Sequence, residues 1–388
     1  MALNFGPNAL NAPASTDATV DVARHRGEVI APSSKAAMKL LFVPVSAPRG
    51  MGEYARSREI ATAVQKRWPT AQIHFILGRE AIYATECPFP VTLLPSSPTF
   101  HSREVGALIE SYRPDVVVFD NAGRTAQLRS VVRAKGRVIY ISSRARQRRK
   151  AFRLRWMRLI DEHWIAYPEF IAGPLSVLEK AKRHLVGRPT IRYLDTVFPE
   201  TDAIDHTALL ARYELQSRGY IAIVAGGGTP HKGAEDAPQI FALAAARLAE
   251  LGHRVVLVGV GAPISRASGV TTSGRLPTAE LIEIMRHARV VVTNGGDTLL
   301  QALACECTCV ASPIAHDQAE RISRCAKAGL VVAAPLKPDA MAESVVRLLD
   351  GSVQVDPGSA REGGHSIRNM LDEAANAIGA LALLNSGP

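Results

Sequence analysis

Residues 290–321 read V-V-V-T-N-G-G-D-T-L-L-Q-A-L-A-C-E-C-T-C-V-A-S-P-I-A-H-D-Q-A-E-R, and this stretch decides the fold. The apolar run Val290, Val291, Val292 stops at Asn294, Gly295 and Gly296. A helical pattern starts at once, with Leu299, Leu300, Leu303 and Ala304 on one apolar face. A second short apolar run from Cys309 closes into Pro313, and Asp317-Gln318 opens another helix. The order is strand, glycine turn, helix, strand, polar loop. Glycine lets a ligand approach the backbone closely. A helix N-terminus carries unpaired N–H groups and a partial positive charge, which suit a phosphate. A nucleotide diphosphate is therefore expected near residues 295–298.

The same grammar recurs on either side. Tyr220-Ile221-Ala222-Ile223-Val224-Ala225 is a strand run that ends in Gly226, Gly227 and Gly228. A helix over about 237–251, a strand over 254–258 and a helix from Thr278, read as its N-cap, lead up to Val290. Earlier in the chain, Lys39-Leu40-Leu41-Phe42-Val43-Pro44-Val45 is a buried-strand run followed by a glycine loop and a helix over 57–67. Further strand runs fall at 72–77, 116–119, 137–141 and 164–167. Continuous apolar runs alternating with helices predict parallel sheets covered on both faces. The fold class is thus α/β, with two Rossmann-like doubly wound domains facing across a cleft. The expected division is a disordered leader over 1–36, a first domain over 37–200 and a second over 201–388. In such sheets ligands sit beyond the carboxyl ends of the strands.

Composition narrows the partners. The chain has 388 residues, 47% of them hydrophobic, and a formal net charge of +10, which calls for anionic partners. No stretch reaches the roughly 20 apolar residues that a membrane-spanning helix needs, and the N-terminus lacks a secretory layout. Five cysteines, three of them alternating at Cys305, Cys307 and Cys309, do not match a zinc spacing and read as buried thiols in a reducing cytoplasm.

The glycine turn, the helix after it and the polar loop beyond resemble the donor signature of GT-B glycosyltransferases. G-G-D-T-L-L-Q-A-L followed by P-x-x-x-D-Q is similar to the pattern G-G-S-T-x-x-E-A-L, then P-x-x-x-D-Q-x-x-N-A, of glycosyltransferase family 28 and its neighbours. Those neighbours include the N-acetylglucosaminyltransferase that makes lipid II and the nucleotide-sugar hydrolase of pseudaminic acid synthesis. The resemblance implies that Gly295, Gly296 and Thr298, beside Asn294, meet a donor diphosphate. Gln301 then stands where a glutamate holds the ribose, and Asp317 and Gln318 hold the sugar. Here Gln301 replaces that glutamate, Glu306 a glycine, Thr308 a proline and Arg321 an asparagine. The resemblance also implies that the last helical pattern, over about 367–384, packs back across the first domain, and that the leaving group departs without a metal. No D-x-D triad occurs in the chain, and no cofactor beyond the nucleotide-sugar co-substrate is expected.

Three other stretches carry candidate chemistry. After the first strand comes Gly50-Met51-Gly52-Glu53, with Arg56 one turn on. The resembling family often carries a histidine base at this place, so Glu53 becomes the candidate base, with a helix-terminal carboxylate or a ligand-positioning role as the alternatives. Asp120 ends a strand on the same side and positions an acceptor, orients another polar residue or caps a loop. Gly227, Gly228 and Thr229, followed by His231 and Lys232, resemble the first glycine loop of a donor domain. Arginines at 144–158, including Arg148, Arg149 and Arg153, alternate with Phe152 and Trp156 at helical spacing. That pattern suits docking on an anionic membrane, a pocket for an acidic acceptor, or a core-facing helix with a basic outer side. Nucleic acid is not expected as a partner.

The resemblance implies a cytoplasmic, metal-independent glycosyltransferase, with docking at the inner membrane face as one option; inversion is implied by the resemblance alone. Its donor is a nucleotide-diphosphate sugar and its acceptor a glycan or lipid-linked hydroxyl. A nucleotide-sugar hydrolase on the same scaffold and a non-catalytic sugar-nucleotide or anionic-surface binding protein remain open as alternatives.

Overall fold

The computed structural model describes residues 37–46, 51–226, 234–259, 269–358 and 366–385. The expected leader over 1–36 lies outside them. In chain order the first part holds β1 (Lys39–Pro44), α1 (Gly52–Arg67), β2 (Gln72–Gly78), β3 (Val91–Leu94), α2 (Ser102–Tyr112), β4 (Val116–Asp120) and α3 (Thr125–Arg133). It continues with β5 (Arg137–Ser142), α4 (Ala145–Ala151), α5 (Leu154–Met157), β6 (Glu162–Ala166), α6 (Glu169–Ala172), α7 (Val177–Val186) and β7 (Thr190–Leu194). The second part holds α8 (His206–Arg212), β8 (Ile221–Val224), α9 (Ala237–Glu250), β9 (Val255–Val258), β10 (Val270–Ser273), α10 (Thr278–Arg286) and β11 (Val290–Asn294). It ends with α11 (Asp297–Ala304), β12 (Cys309–Ser312), α12 (His316–Lys327), β13 (Val332–Ala333), α13 (Pro338–Leu349) and α14 (Leu371–Asn385).

Two parallel sheets result. The first runs β3-β2-β1-β4-β5-β6-β7 and the second β10-β9-β8-β11-β12-β13. In each, the strand order reverses beside the first strand, between β1 and β4 and between β8 and β11. At such a point two crossovers leave in opposite directions and open a crevice at the carboxyl ends. Register is set by the apolar runs: Leu41 pairs with Val117 and Val292 with Val310. Alternate residues of one strand enter different cores, because successive side chains point to opposite faces. Leu40 and Phe42 join the core under α1 and α14, whereas Leu41 and Val43 join the one under α2 and α3. Ala222 and Val224 likewise part from Ile221 and Ile223. Each fully buried aliphatic side chain contributes about 1.5–3 kcal/mol, which explains strands with no polar alternation.

Several local features differ from the sequence reading. Thr278 is the first residue of α10 and not its cap; Pro277 stands in the cap position with no side-chain bond. The segment over 144–158 is two short helices, α4 and α5, because the chain turns at Phe152 and Arg153. The last helix, α14, lies on α1 and β4 of the first sheet, so tightly that a Cβ on Gly379 would meet the Trp68 ring. All five cysteines are free thiols, three of them buried. Burial pushes the Cys307 and Cys325 thiols up to about 12, which disfavours the reactive thiolate. No helix among the described residues is long and apolar enough to cross a membrane.

Candidate functional site

In the second domain the crevice is built by the turn between β11 and α11. Asn294 spans it: its Nδ2 donates to the Ala225 carbonyl at 2.9 Å, and its Oδ1 accepts from the Gly296 N–H at 2.7 Å. Gln318 braces the turn from α12, its Oε1 accepting from the N–H groups of Gly295 at 3.1 Å and Ile314 at 3.0 Å. A Cβ on Gly295 would lie 2.8 Å from Ile322 and 2.9 Å from Gln318, so glycine is required here for packing. Arg321 completes the brace by donating to the Gly295 carbonyl and pairing with Asp317 at 3.3 Å. Its Nε is buried without a partner. The first-turn amides of α11 receive no side-chain cap, which leaves the positive end of that helix open.

In the first domain the corresponding crevice lies between β1 and β4. Arg56, on the inner face of α1, makes two parallel bonds to Asp120 at 2.8 and 2.9 Å. Burial pushes the Asp120 carboxyl up to about 6 despite the Arg56 guanidinium beside it, with Glu53 and Asp297 raising it further. Burial works against the Arg56 charge, but Asp120 outweighs it and the guanidinium is held above its ordinary range. Asn121 adopts a left-handed backbone, φ 52°, that turns its side chain toward α1. Its Nδ2 donates to Glu53 Oε1 at 2.9 Å and to the Ser143 hydroxyl, and its Oδ1 accepts from the Ser143 N–H at 2.9 Å. One oxygen of Glu53 is thus fixed by an amide.

The two crevices face each other. Asp297, at the start of α11, sets a carboxylate oxygen 3.3 Å from where a Cβ on Gly52 would begin. The N-termini of α1 and α11 therefore converge, and neither has a side-chain cap. The Arg321 guanidinium lies over the Tyr167 ring, 4.2 Å from its centroid. Tyr167 has φ 82°, a strained conformation for a bulky residue, and burial raises its hydroxyl to about 12. Arg275 reaches the Met51 sulfur at 3.0 Å, and Gln301 Nε2 reaches the Val197 carbonyl at 3.4 Å. Polar groups from both domains thus meet between two helix termini.

Residues 221–351, which hold the second crevice, match the family model described as glycosyl transferases group 1. No curated protein sequence matches the chain. Among solved structures, it is similar to Acinetobacter baumannii MurG, at 12% identity over 88% of this chain and 99% of that one, with a TM-score of 0.57. The fold is GT-B. Phytolacca americana UGT2 complexed with UDP-2fluoro-glucose and pterostilbene has the same architecture, at 12% identity, 89% and 94% coverage and a TM-score of 0.57. So does UDP-GlcNAc 2-epimerase from Methanocaldococcus jannaschii, at 12% identity, 89% and 100% coverage and 0.54. At such identities the likeness is one of architecture, and the site must be argued from its residues.

Set on this GT-B frame, the expected residues separate. Glu53, Asp120, Arg56, Gly52, Asn294, Gly295, Gly296, Thr298, Gln301 and Gln318 do come to the two facing crevices. The N–H groups of Gly295 and Gly296 already have partners in Gln318 and Asn294, and Thr298 lies in the first turn of α11. Gln318 and Asn294 hold the turn. Asp317 is exposed and held by Arg321. Gly50, Gly227, Gly228 and Thr229, with His231 and Lys232, lie outside the described residues.

The basic stretch corrects a second reading. Trp156 does not face outward: it is fully buried, donates to the Thr125 hydroxyl at 2.9 Å and carries Lys150 on its ring at 4.2 Å. Arg148 is a brace within the domain, bonded to Glu179 and to the carbonyls of Ala172, Gly173 and Pro174. Arg149 and Arg153 stay exposed. Tyr167 and Asp297 were missed. Tyr167 gave no signal, since a strained backbone is invisible in a sequence. Asp297 did: it stands where the resembling pattern has serine.

Proposed function

We propose that the protein is a glycosyltransferase that uses a nucleotide-diphosphate sugar. The observation that carries this reading is the open N-terminus of α11 at the strand reversal of a domain that matches group 1 glycosyl transferases, facing a fixed carboxylate across the cleft. The diphosphate would lie against the first turn of α11, where preorganised amides stabilise the leaving group. Glu53, oriented by Asn121, would take the proton of the acceptor hydroxyl, whose oxygen attacks the anomeric carbon as its bond to the diphosphate breaks. Attack opposite the leaving group gives inversion.

The acceptor side is proposed to dock on an anionic surface through α7, not through Trp156. This helix has no buried residue and exposes Val177, Leu178 and Leu185 beside Lys180 and Arg183. Apolar anchors ringed by cations are what an anionic lipid surface selects.

The test is nucleotide release from a panel of UDP-, GDP-, CMP- and dTDP-sugars, with and without anionic lipid extract, for wild type and Glu53→Gln. Acceptor-dependent release that falls about a hundredfold or more in the variant supports the reading. Equal release without acceptor identifies a hydrolase. Donor binding without any turnover identifies a binding protein.

A further inference from the structure

A cluster well outside the cleft residues has the makings of a metal site. His206 opens α8, and Glu283 and His287 lie four residues apart at the end of α10, on one face of the helix. One ligand atom from each of the three lies within 4.8 Å of the others. The two imidazoles stack with ring centroids 4.6 Å apart, and His287 Nε2 is 3.4 Å from Glu283 Oε2.

The surroundings orient these groups as ligands. Ser217 Oγ lies 3.0 Å from His287 Nδ1; when Nδ1–H donates to it, Nε2 is left as a bare lone pair facing Glu283. Arg286 Nη1 holds the other carboxylate oxygen, Oε1, at 2.7 Å, which leaves Oε2 for a cation. Glu283 is nearly buried and His206 is exposed, so the histidine can swing in to close the set. The C-terminal end of α10 adds a partial negative charge.

We propose that His206, Glu283 and His287 bind a divalent cation of the zinc class, which ties α8 to α10. Two imidazole nitrogens and one carboxylate suit zinc, cobalt or nickel, not calcium or magnesium, which prefer oxygen. Three protein ligands leave one position for water. The tie would act on the linker between the domains, because Arg286 Nη1 also donates to the Thr201 hydroxyl at 2.9 Å and α8 is the first helix after that linker. The ion would thereby fix where the linker enters the second domain.

The experiment is zinc titration by calorimetry of the untagged full chain after chelator treatment, followed by the absorption spectrum of the cobalt form. His206→Ala and His287→Ala are compared, with circular dichroism to confirm folding; His206 is exposed, so its variant keeps the fold. Expected are one equivalent of zinc, affinity reduced roughly tenfold or more in each variant, and a thermal midpoint that zinc raises in wild type but not in His206→Ala. Absence of binding overturns the proposal. So does unchanged affinity in His206→Ala, or a thiolate charge-transfer band in the cobalt spectrum, which would assign the ion to the cysteines.

Discussion

The carboxylate of Asp297 sits at the open end of α11 and 3.3 Å from the position of a Cβ on Gly52. It is itself the anion in the place where the proposed donor diphosphate would go. A carboxylate in the first turn interacts favourably with the helix dipole by about 0.3–1 kcal/mol, and a bound phosphate must compete with it. Replacing Asp297 by Asn removes the competing charge and keeps the shape. We expect Asp297→Asn to tighten nucleoside-diphosphate binding about fivefold or more, corresponding to about 1 kcal/mol. Titration of both proteins with UDP and GDP checks this. An unchanged or weaker affinity would show that the carboxylate does not face the nucleotide.

The Arg56–Asp120 pair predicts a pH dependence. Asp120 titrates near 6 in the fold, above the value of about 3.9 for an unfolded chain. Below pH 6 it loses its charge and its grip on Arg56, whose helix also carries Glu53. Activity is expected to fall on the acid side with a midpoint near 6, and Asp120→Asn is expected to stay at the low plateau throughout. The sign for stability is opposite. The folded state binds this proton more tightly than the unfolded chain, so the contribution is fully present below about 3.9 and lost as pH rises through 6. Arg56→Met, which leaves Asp120 buried and unpaired, is expected to cost about 3–5 kcal/mol in denaturant unfolding at pH 8. A cost under 1 kcal/mol would exclude an ionised pair.

Gln318 braces the turn between β11 and α11 from α12. Its Oε1 accepts from Gly295 and Ile314 together. Gln318→Leu strands two buried N–H groups, at about 1–3 kcal/mol each. Gln318→Glu keeps the acceptor and is expected to restore most of that loss. Gly295→Ala, which forces a methyl against Ile322 and Gln318, is expected to cost about 1–3 kcal/mol. Thermal unfolding of the three variants decides the matter. Full stability of Gln318→Leu with impaired donor binding would return Gln318 to the ligand.

What was legible in the sequence was what repeats with a period. The central strands β1, β4, β8 and β11 are continuous apolar runs because both faces are covered; the strand order, with its reversals beside β1 and β8, was not read from them. The outer strands β3, β7 and β10 were not read, because a half-exposed edge such as Thr190-Ile191-Arg192-Tyr193-Leu194 lacks such a run. At the site, the position of Glu53 followed from its place after β1. The brace it receives from Asn121 did not, since that depends on a positive φ and on a partner 68 residues away. The glycine turn was read correctly as a turn. Which of its N–H groups are already taken is a tertiary property, set by Gln318 and Asn294.

The basic stretch supplies the last contrast. Trp156 stacks edge-on against Tyr140, with ring centroids 5.2 Å apart and planes at 80°, inside the core under α2 and α3. Trp156→Ala is therefore expected to cost about 3–5 kcal/mol of stability. Leu178 and Leu185 on α7 are exposed by 63% and 76% and support no core. A double substitution of these two by Glu is expected to shift stability by no more than about 0.5 kcal/mol. It should nonetheless abolish co-sedimentation with vesicles rich in anionic lipid, because it removes the anchors and reverses the local charge. If the double variant still sediments with vesicles, α7 is not the docking face. If wild type fails to sediment at moderate salt, the acceptor is not presented on an anionic membrane.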